Sequence, residues 1–321
     1  MNTAPRLSIG LPVYNGEDNV ADSLDALLGQ SYEDFELIIS DNASTDGTAE
    51  ICRQYEKQDS RIRYIRQPYN IGRVPNHNFV IEQASGQLFK WAACQDLYAR
   101  ELLERCVEVL DAQPHVVLAH SRSAMIDSSG AVVKLTGAPD AVTSRRAPER
   151  FWSVLVNGEG DNLYGIIRTE VLRRMPRHGS YHFADRAFTA ELALNGPFYQ
   201  IPDCLFFWRD SSPRTPFSVR ARCAYMDPRR SSYWRHPVPR LYAEYGWAYI
   251  SMLQRAPISA AERRECYRCL ARWASGRVLP VASRVIHGKP LPPGSSVSAG
   301  EPVPAGLSVE TLVVSRDGRS S

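Results

Sequence analysis

The sequence holds no run of eighteen apolar residues, so no segment reads as a membrane-spanning helix. It has no GxGxxG after its first apolar run and no GxxxxGKS/T anywhere, which leaves a Rossmann dinucleotide site and a P-loop without support. The opening MNTAPRLSIG carries no basic stretch leading into an apolar one. No secretory leader is therefore expected, and the chain is expected in the cytoplasm. Cysteine is scarce and odd in number, seven in all at positions 52, 94, 106, 204, 223, 266 and 269. That suits a reducing compartment better than a disulfide framework. Cys266 and Cys269 form a CxxC, but inside the helical-looking ERRECYRCLARW and without a second pair. His178, His182 and Asp185 stand at helix spacing but lack the further His or Cys that would complete a metal cluster. No internal repeat is present.

What remains is the composition of an ordinary globular protein: 321 residues, 44% hydrophobic and 23% charged, enough for one large core or two modest ones. The first third alternates apolar runs with helical stretches, the pattern of βαβ units. Leu7 to Val13 reads as a strand, Glu17 to Gln30 as a helix capped by Asn15, with Val20, Leu24, Leu27 and Leu28 on one face. Phe35 to Ser40 is the second strand, and Asp46 and Gly47 start a helix through Gln58. Ile62 to Ile65 is the third strand, Pro75 marks a helix start, and Leu88 to Ala93 is the fourth strand. Right-handed crossovers then put the polar loops after the first, second and fourth strands on one rim of a parallel sheet, where open α/β sheets bind ligands.

Further along, helices are expected over Ala99 to Ala112, Pro148 to Asn157, Asp185 to Asn195, Leu241 to Gln254 and Ala260 to Ser275. Strands are expected at Val116 to Ala119 and Asn162 to Arg168, and DSSG reads as a hairpin turn. Residues 285–321 are rich in Pro, Gly and Ser, the composition of a disordered tail. The net charge of +3 is uneven, since Arg209 to Arg240 holds eight arginines against Asp210 and Asp227, a local +6 that leaves −3 elsewhere. Aromatic residues interleave with these arginines, which suits a phosphate-bearing acceptor or an anionic membrane surface as well as a plain solvated loop. No recognition-helix or RNP-type pattern accompanies them, so nucleic acid is not an expected partner.

The rim offers acids without a glycine cradle. A divalent cation bridging one carboxylate to a diphosphate is then the economical way to hold phosphate, and hard oxygen ligands with retained water suit magnesium or manganese. Asp96, at the end of the fourth strand, is the natural metal ligand. Asp41 is placed to accept hydrogen bonds from a base or ribose, beside the turn from Pro12 to Asn15. Alternatives stay open for each: Asp96 as a helix cap, Asp41 as a turn former, Asp185 as a first-turn helix acid or a partner for Arg186 or His182.

Four segments in order, LSIGLPVYNGE, ELIISDNASTDGT, NIGRVPNHNFVIEQASG and the strand ending at Asp96, resemble the nucleotide-sugar half of a family 2 glycosyltransferase. A looser resemblance continues through NLYGIIRTEVLRR, FADRAFTAELALNGPF and CLFFWRD. The resemblance implies an α/β fold of GT-A type, a mostly parallel twisted sheet flanked by helices with a C-terminal helical extension. It implies a domain over residues 1–240, divided into a nucleotide-sugar half (1–112) and an acceptor-side half (113–240), with a helical segment at 241–280. It also implies that Pro12, Tyr14, Asn15 and Glu17 line the nucleotide pocket, Asp41 contacts the base, and Asn78 supports the sugar-nucleotide loop. Asp46 shares Asp41's loop, where capping the following helix suits it better. Asp96 matches the last acid of a DxD-type motif, Asp185 the catalytic base of inverting members, and Arg209 a group that steadies the departing diphosphate. One departure stands out. Gln95 occupies the place of an acid, so it adds no charge for a cation but can hydrogen-bond a ribose or sugar hydroxyl.

The implied activity is transfer of a sugar from a nucleoside-diphosphate sugar to an acceptor hydroxyl with inversion, in cell-envelope glycan or glycolipid synthesis. The implied partners are that donor, with a glycan or lipid-linked acceptor at the inner membrane face. Two other classes are weighed: a GT-A-like protein that binds a nucleotide sugar without catalysis, which Gln95 favours, and a nucleotidyltransferase, which the missing basic phosphate loop disfavours.

Overall fold

The computed structural model describes residues 4–127, 129–136, 141–157, 163–181, 183–209, 218–232 and 234–278. The proposed tail at 285–321 lies outside the described residues.

The first strand, β1 (Leu7–Val13), shows why the sheet sits where it does. Leu7, Ile9, Leu11 and Val13 point to one side and enter a core with α1 (Val20–Leu28), α2 (Thr48–Gln58) and α4 (Leu102–Ala112). On the other side Gly10 lets α3 (Arg73–Glu82) approach closely, since a Cβ there would stand 2.6 Å from Val80 and 2.9 Å from Phe89. β1 lies between β2 (Phe35–Asp41) and β4 (Leu88–Trp91), and β2 carries β3 (Ile62–Arg66) at the edge. All three pairings are parallel, as the βαβ spacing predicts.

Beyond β4 the sheet changes character. β8 (Ile166–Arg168) pairs antiparallel with both β4 and β6 (Leu118–Ile126), and β6 runs parallel to the long β9 (Phe198–Arg209). The short β5 (Leu97–Tyr98) closes the order β3-β2-β1-β4-β8-β6-β9-β5, and β7 (Val132–Thr136) forms the expected hairpin with β6. Parallel pairing is thus the rule up to β4 and only partial beyond it.

A second core covers the opposite face. It joins Ile38, Phe89 and Trp91 of the sheet to α5 (Ala147–Asn157), α6 (Thr169–Arg174), α7 (Ala184–Asn195), α9 (Val238–Arg255) and α10 (Ala260–Trp273). Tyr245, Tyr249 and Trp273 form its aromatic centre, with ring centroids 5.1 to 6.2 Å apart. The C-terminal helices therefore belong to the same core as β4. The remaining helix, α8 (Val219–Met226), is capped by Ser218 and leads into a 3-10 turn at Pro228–Arg230. α10 begins with a complete capping box between Ser259 and Glu262.

One sequence expectation changes and one keeps its place. Asn15 does not cap α1: it adopts the left-handed conformation (φ 50°), and α1 begins at Val20 after Asn19. The CxxC pair lies within α10, with Cys266 buried and both thiols free.

Candidate active site

Three loops after parallel strands meet on one rim, as the topology requires, and the first two are laced together. Asn15 N–H donates to Ser44 Oγ (2.9 Å), and Thr45 N–H donates to Asn15 Oδ1 (2.9 Å). Glu17 accepts from the Gly47 N–H (2.6 Å), while Asp46 accepts from Glu17 N–H (3.2 Å) and Thr48 N–H (3.1 Å). Asn15 and Glu17 thus cross-brace the two loops, and Asp46 serves the start of α2 as expected. Tyr14 stays 47% exposed on the rim, and Pro12 sits half-buried at the end of β1. The fourth-strand loop packs against this unit through Cys94, which a Cβ on Gly16 would meet at 3.1 Å.

Asp41 forms the floor. Its side chain is fully buried, with Oδ1 accepting from Ser44 N–H (2.8 Å) and Oδ2 from the Tyr64 hydroxyl (2.6 Å) and the Arg66 guanidinium (3.0 Å). Burial and the neighbouring Asp41 push the Tyr64 phenol up to about 12.

Helix α3 carries the decisive side chains, and three asparagines fix it in place. Asn70 accepts from the Gly72 N–H and from Asn42, both at 2.9 Å. Asn76 is clamped to Ser40, donating to its carbonyl (2.8 Å) and accepting from its hydroxyl (2.6 Å). Asn78 holds His178, a hundred residues away, by two backbone bonds: it donates to the His178 carbonyl and accepts from the His178 N–H, each at 2.9 Å. The structure therefore ties Asn78 to the segment before α7.

His178 in turn holds Asp185. Its Nε2 lies 2.9 Å from Asp185 Oδ1, and its Nδ1 lies 3.1 Å from the Gly179 carbonyl oxygen. Both partners are acceptors, so both contacts are hydrogen bonds only when both ring nitrogens carry a proton, as in the imidazolium. The two side chains stand at ion-pair distance, and His182 lies outside the described residues. Burial raises the Asp185 carboxyl, but the His178 hydrogen bond and charge, then Arg73 and His77, bring it down to about 2. The Asp185 side chain is nevertheless 54% exposed. Phe183, left-handed (φ 60°) and 40% exposed, stands at the start of the same helix.

Tyr164 and Arg73 connect the two carboxylates singled out in the sequence. Arg73 lies within electrostatic reach of Tyr164, Asp185 and Tyr225. Burial raises the Tyr164 phenol to about 12, with Asp96 and Asp185 adding to the rise and Arg73 opposing it. Asp96, 3% exposed, and Asp185 thus both lie within electrostatic reach of Tyr164. Beneath them, fully buried Lys90 donates to the Tyr164 carbonyl and lies over the Tyr98 ring at 4.9 Å. Burial lowers its ammonium to about 8. His77, whose Nδ1 donates to the Arg73 carbonyl (2.9 Å), is pushed down to about 3 by burial and by Arg73. Arg209, at the end of β9, donates to the Gln95 carbonyl (3.3 Å) and Asn19 (3.2 Å) and pairs with Asp22 at 3.4 Å.

Reading the sequence by motif singled out Asp96, Asp185 and Arg209, and set His178 beside Asp185 only as part of an incomplete metal cluster; it passed over Arg73, Tyr164 and Lys90. Arg73 was legible in principle, as the single basic residue in the asparagine-rich NIGRVPNHN. The others depend on contacts between distant segments.

The donor set restricts any cation. No group of three His, Cys, Asp or Glu converges to hold a metal among the described residues. A single carboxylate at Asp96 fits a hard divalent ion that keeps water and shares the oxygens of a bound diphosphate, and does not fit a closed protein cage.

The fold is that of GT-A glycosyltransferases. Staphylococcus aureus TarS, solved in complex with UDP, matches 84% of this chain and 72% of its own with a TM-score of 0.59 at 17% identity. Residues 8–164 match the model of the family described as Glycosyl transferase family 2. TuaG of Bacillus subtilis, a glycosyltransferase named for teichuronic acid biosynthesis, is 31% identical over 142 residues, 44% of this chain and 56% of that one. A Campylobacter jejuni GalNAc(5)-diNAcBac-PP-undecaprenol beta-1,3-glucosyltransferase is 30% identical over 117 residues, 36% of this chain and 37% of that one. The chain spans about half the length of the first curated relatives it matches. Among the described residues no helix is long and apolar enough to cross a membrane.

Proposed function

We propose that the protein transfers a sugar from a nucleoside-diphosphate sugar to an acceptor hydroxyl with inversion, in the synthesis of a cell-envelope glycan or glycolipid. The observation that carries this reading is the placement of Asp96, at the end of the parallel half of the sheet, and Asp185, held by His178, within electrostatic reach of the same Tyr164. The family, the fold shared with a UDP-bound enzyme and relatives named for envelope polymers support it.

The loops after β1 and β2 line the base and ribose side. Tyr14 and Pro12 border it, while Asn15 and Glu17 keep its walls in register. Asp41, fully buried and held by Ser44, Tyr64 and Arg66, supports the floor of this side from beneath, so base contact by its carboxylate requires one of these partners to give way. Arg73 and Arg209 supply positive charge for the diphosphate. Magnesium or manganese would be held by Asp96 with the donor's diphosphate, and when bound it neutralises charge on the leaving group.

Asp185 takes the acid–base role. The acceptor oxygen attacks the anomeric carbon, the bond from that carbon to the diphosphate oxygen breaks with its electron pair leaving on the diphosphate, and the acceptor's proton passes to Asp185. Attack from the face opposite the leaving group inverts the centre in one step. His178 keeps the carboxylate aimed into the cleft, and Asn78 keeps His178 in place. The same His178 contact that holds Asp185 also lowers its carboxyl and so weakens it as a base.

Gln95 favours one other reading, a protein that binds the donor without transferring it. A thermal-shift screen of nucleoside diphosphates and their sugars with manganese identifies the donor, because a ligand of the folded state raises the melting temperature. An assay with the donor so found separates the two readings. Release of nucleoside diphosphate that disappears in Asp185→Asn supports transfer, and tight binding with no turnover across an acceptor panel supports the alternative.

A further inference from the structure

Helix α9, eighteen residues long, is apolar on two sides. Tyr245, Tyr249, Met252 and Leu253 fill the second core, and Leu241 is buried as well. On the opposite side Ala243, Gly246, Trp247 and Ile250 recur at helical spacing and face outward, Trp247 63% and Ile250 38% exposed. A helix apolar all round is normally buried all round, so an outward apolar stripe needs a second apolar medium.

The charge beside the stripe defines that medium. Arg222, Arg229, Arg235 and Arg240 are exposed, and Trp234, just ahead of α9, is 91% exposed. The acids within residues 218–255 are Asp227 and Glu244, and arginines already hold both: Arg229 lies 2.9 Å from Asp227, and Arg240 lies 3.1 Å from Glu244, which Arg230 also contacts. The surface is left positive. An anionic polymer alone would meet the arginines and leave Trp247 and Ile250 in water. A bilayer with anionic headgroups takes both, the indoles at the interface and the arginines among the phosphates.

This surface also borders the cleft. The chain between α8 and its 3-10 turn rests on Gly72, where a Cβ would stand 2.6 Å from Pro228 and 3.0 Å from the Met226 carbonyl oxygen. Arg73 follows directly, and Tyr225 of α8 lies within its electrostatic reach. We propose that the outer face of α9, together with Trp234 and the neighbouring arginines, seats the protein on an anionic lipid bilayer with the cleft mouth beside the headgroups. The inference deepens the glycosyl-transfer reading by placing a lipid-linked acceptor next to Asp185, and the lipid-binding surface itself can be tested apart from it.

The test is flotation of the full chain with phosphatidylcholine vesicles, with and without phosphatidylglycerol, at low and high salt. Size-exclusion chromatography and donor thermal shift are run on the same proteins. Wild-type protein is expected to float with the anionic vesicles and not with the neutral ones. Trp247→Asp and Ile250→Asp should each lower the bound fraction about tenfold, and the milder Trp247→Ala should lower it severalfold with donor binding unchanged. Arg235→Gln combined with Arg240→Gln should act severalfold at low salt and little at high salt. Failure of the wild type to float, or flotation indifferent to Trp247 and Ile250, overturns the proposal. A change of oligomeric mass in the aspartate variants with lipid binding intact also overturns it, since the stripe would then be a contact between copies. Normal flotation with no response to any nucleotide sugar upholds the surface while removing the transferase reading.

Discussion

The two halves of the cleft are built on opposite plans. On the donor side, the loops after β1 and β2 satisfy one another: Asn15, Glu17, Ser44 and Asp46 exchange hydrogen bonds, and Asp41 is fully engaged below them. On the acceptor side, Asp185 is poised in the open, held by one imidazole that is held by one amide. The first plan gives a preset mould for a ligand of fixed shape. The second leaves a charged group accessible, as a proton acceptor must be, with its direction set by a single chain of contacts.

The sharpest way to separate the halves is Asp185→Asn. Transfer should fall by about 10²- to 10⁴-fold, the usual range for a lost general base, while donor binding measured by calorimetry stays near wild type. Equal loss of both would place Asp185 on the donor side and break the contrast.

Lys90, beneath the junction of the two halves, tests what burying a charge there costs. Its folded-state value near 8 lies below that of the unfolded chain, so the unfolded state binds the extra proton between the two values and stability rises with pH across that interval. Denaturant titrations of wild type and Lys90→Met, compared at pH 7 and pH 10, should show the difference moving toward wild type by up to about 3 kcal/mol. A difference independent of pH would mean that the ammonium is not penalised.

Asp96→Ala should weaken donor binding by at least about tenfold when manganese is present and change it little when manganese is omitted, as calorimetry can show. A loss of the same size without manganese would assign Asp96 a purely structural part in the loop.

Asn78→Ala decides between two roles for one residue. The resemblance puts it with the sugar-nucleotide loop, whereas its bonds run to His178. On the structural reading kcat falls by about tenfold with donor affinity retained, and the acid limb of the pH–rate profile moves upward as Asp185 loses part of the His178 contact that depresses it. A change confined to donor affinity would return Asn78 to the other half.

The same contrast explains what could be read in advance. β1, β2, β3 and β4 fall within about two residues of where their apolar runs put them, because a strand buried on both faces is written in consecutive residues. The parallel rim follows from the spacing of those runs. By contrast, β6 extends to Ile126, well past the apolar Val116 to Ala119, since its later residues pair with β9 far along the chain. Asn15 resembled a helix cap because a polar residue before an apolar helix carries that signal. The bond that decides its conformation comes from Thr45 on another loop. Asp185 was found by resemblance, but its partner His178 could not be, for nothing local says which ring nitrogen will meet which acceptor. Arg73, Tyr164 and Lys90 were missed for the same reason: each matters through a neighbour remote in sequence.

Gly72 carries the last consequence. It has a left-handed backbone (φ 98°), and its missing side chain leaves room for Pro228. A methyl group there would strain the turn that delivers Arg73 and would wedge away the arginine-rich segment in the same move. Substrate handling and surface attachment, which separate assays can score independently, would then be lost together through one codon. In a collection of random variants, changes at position 72 should fall into both defective classes at once, while changes at Trp247 or Asp185 fall into one.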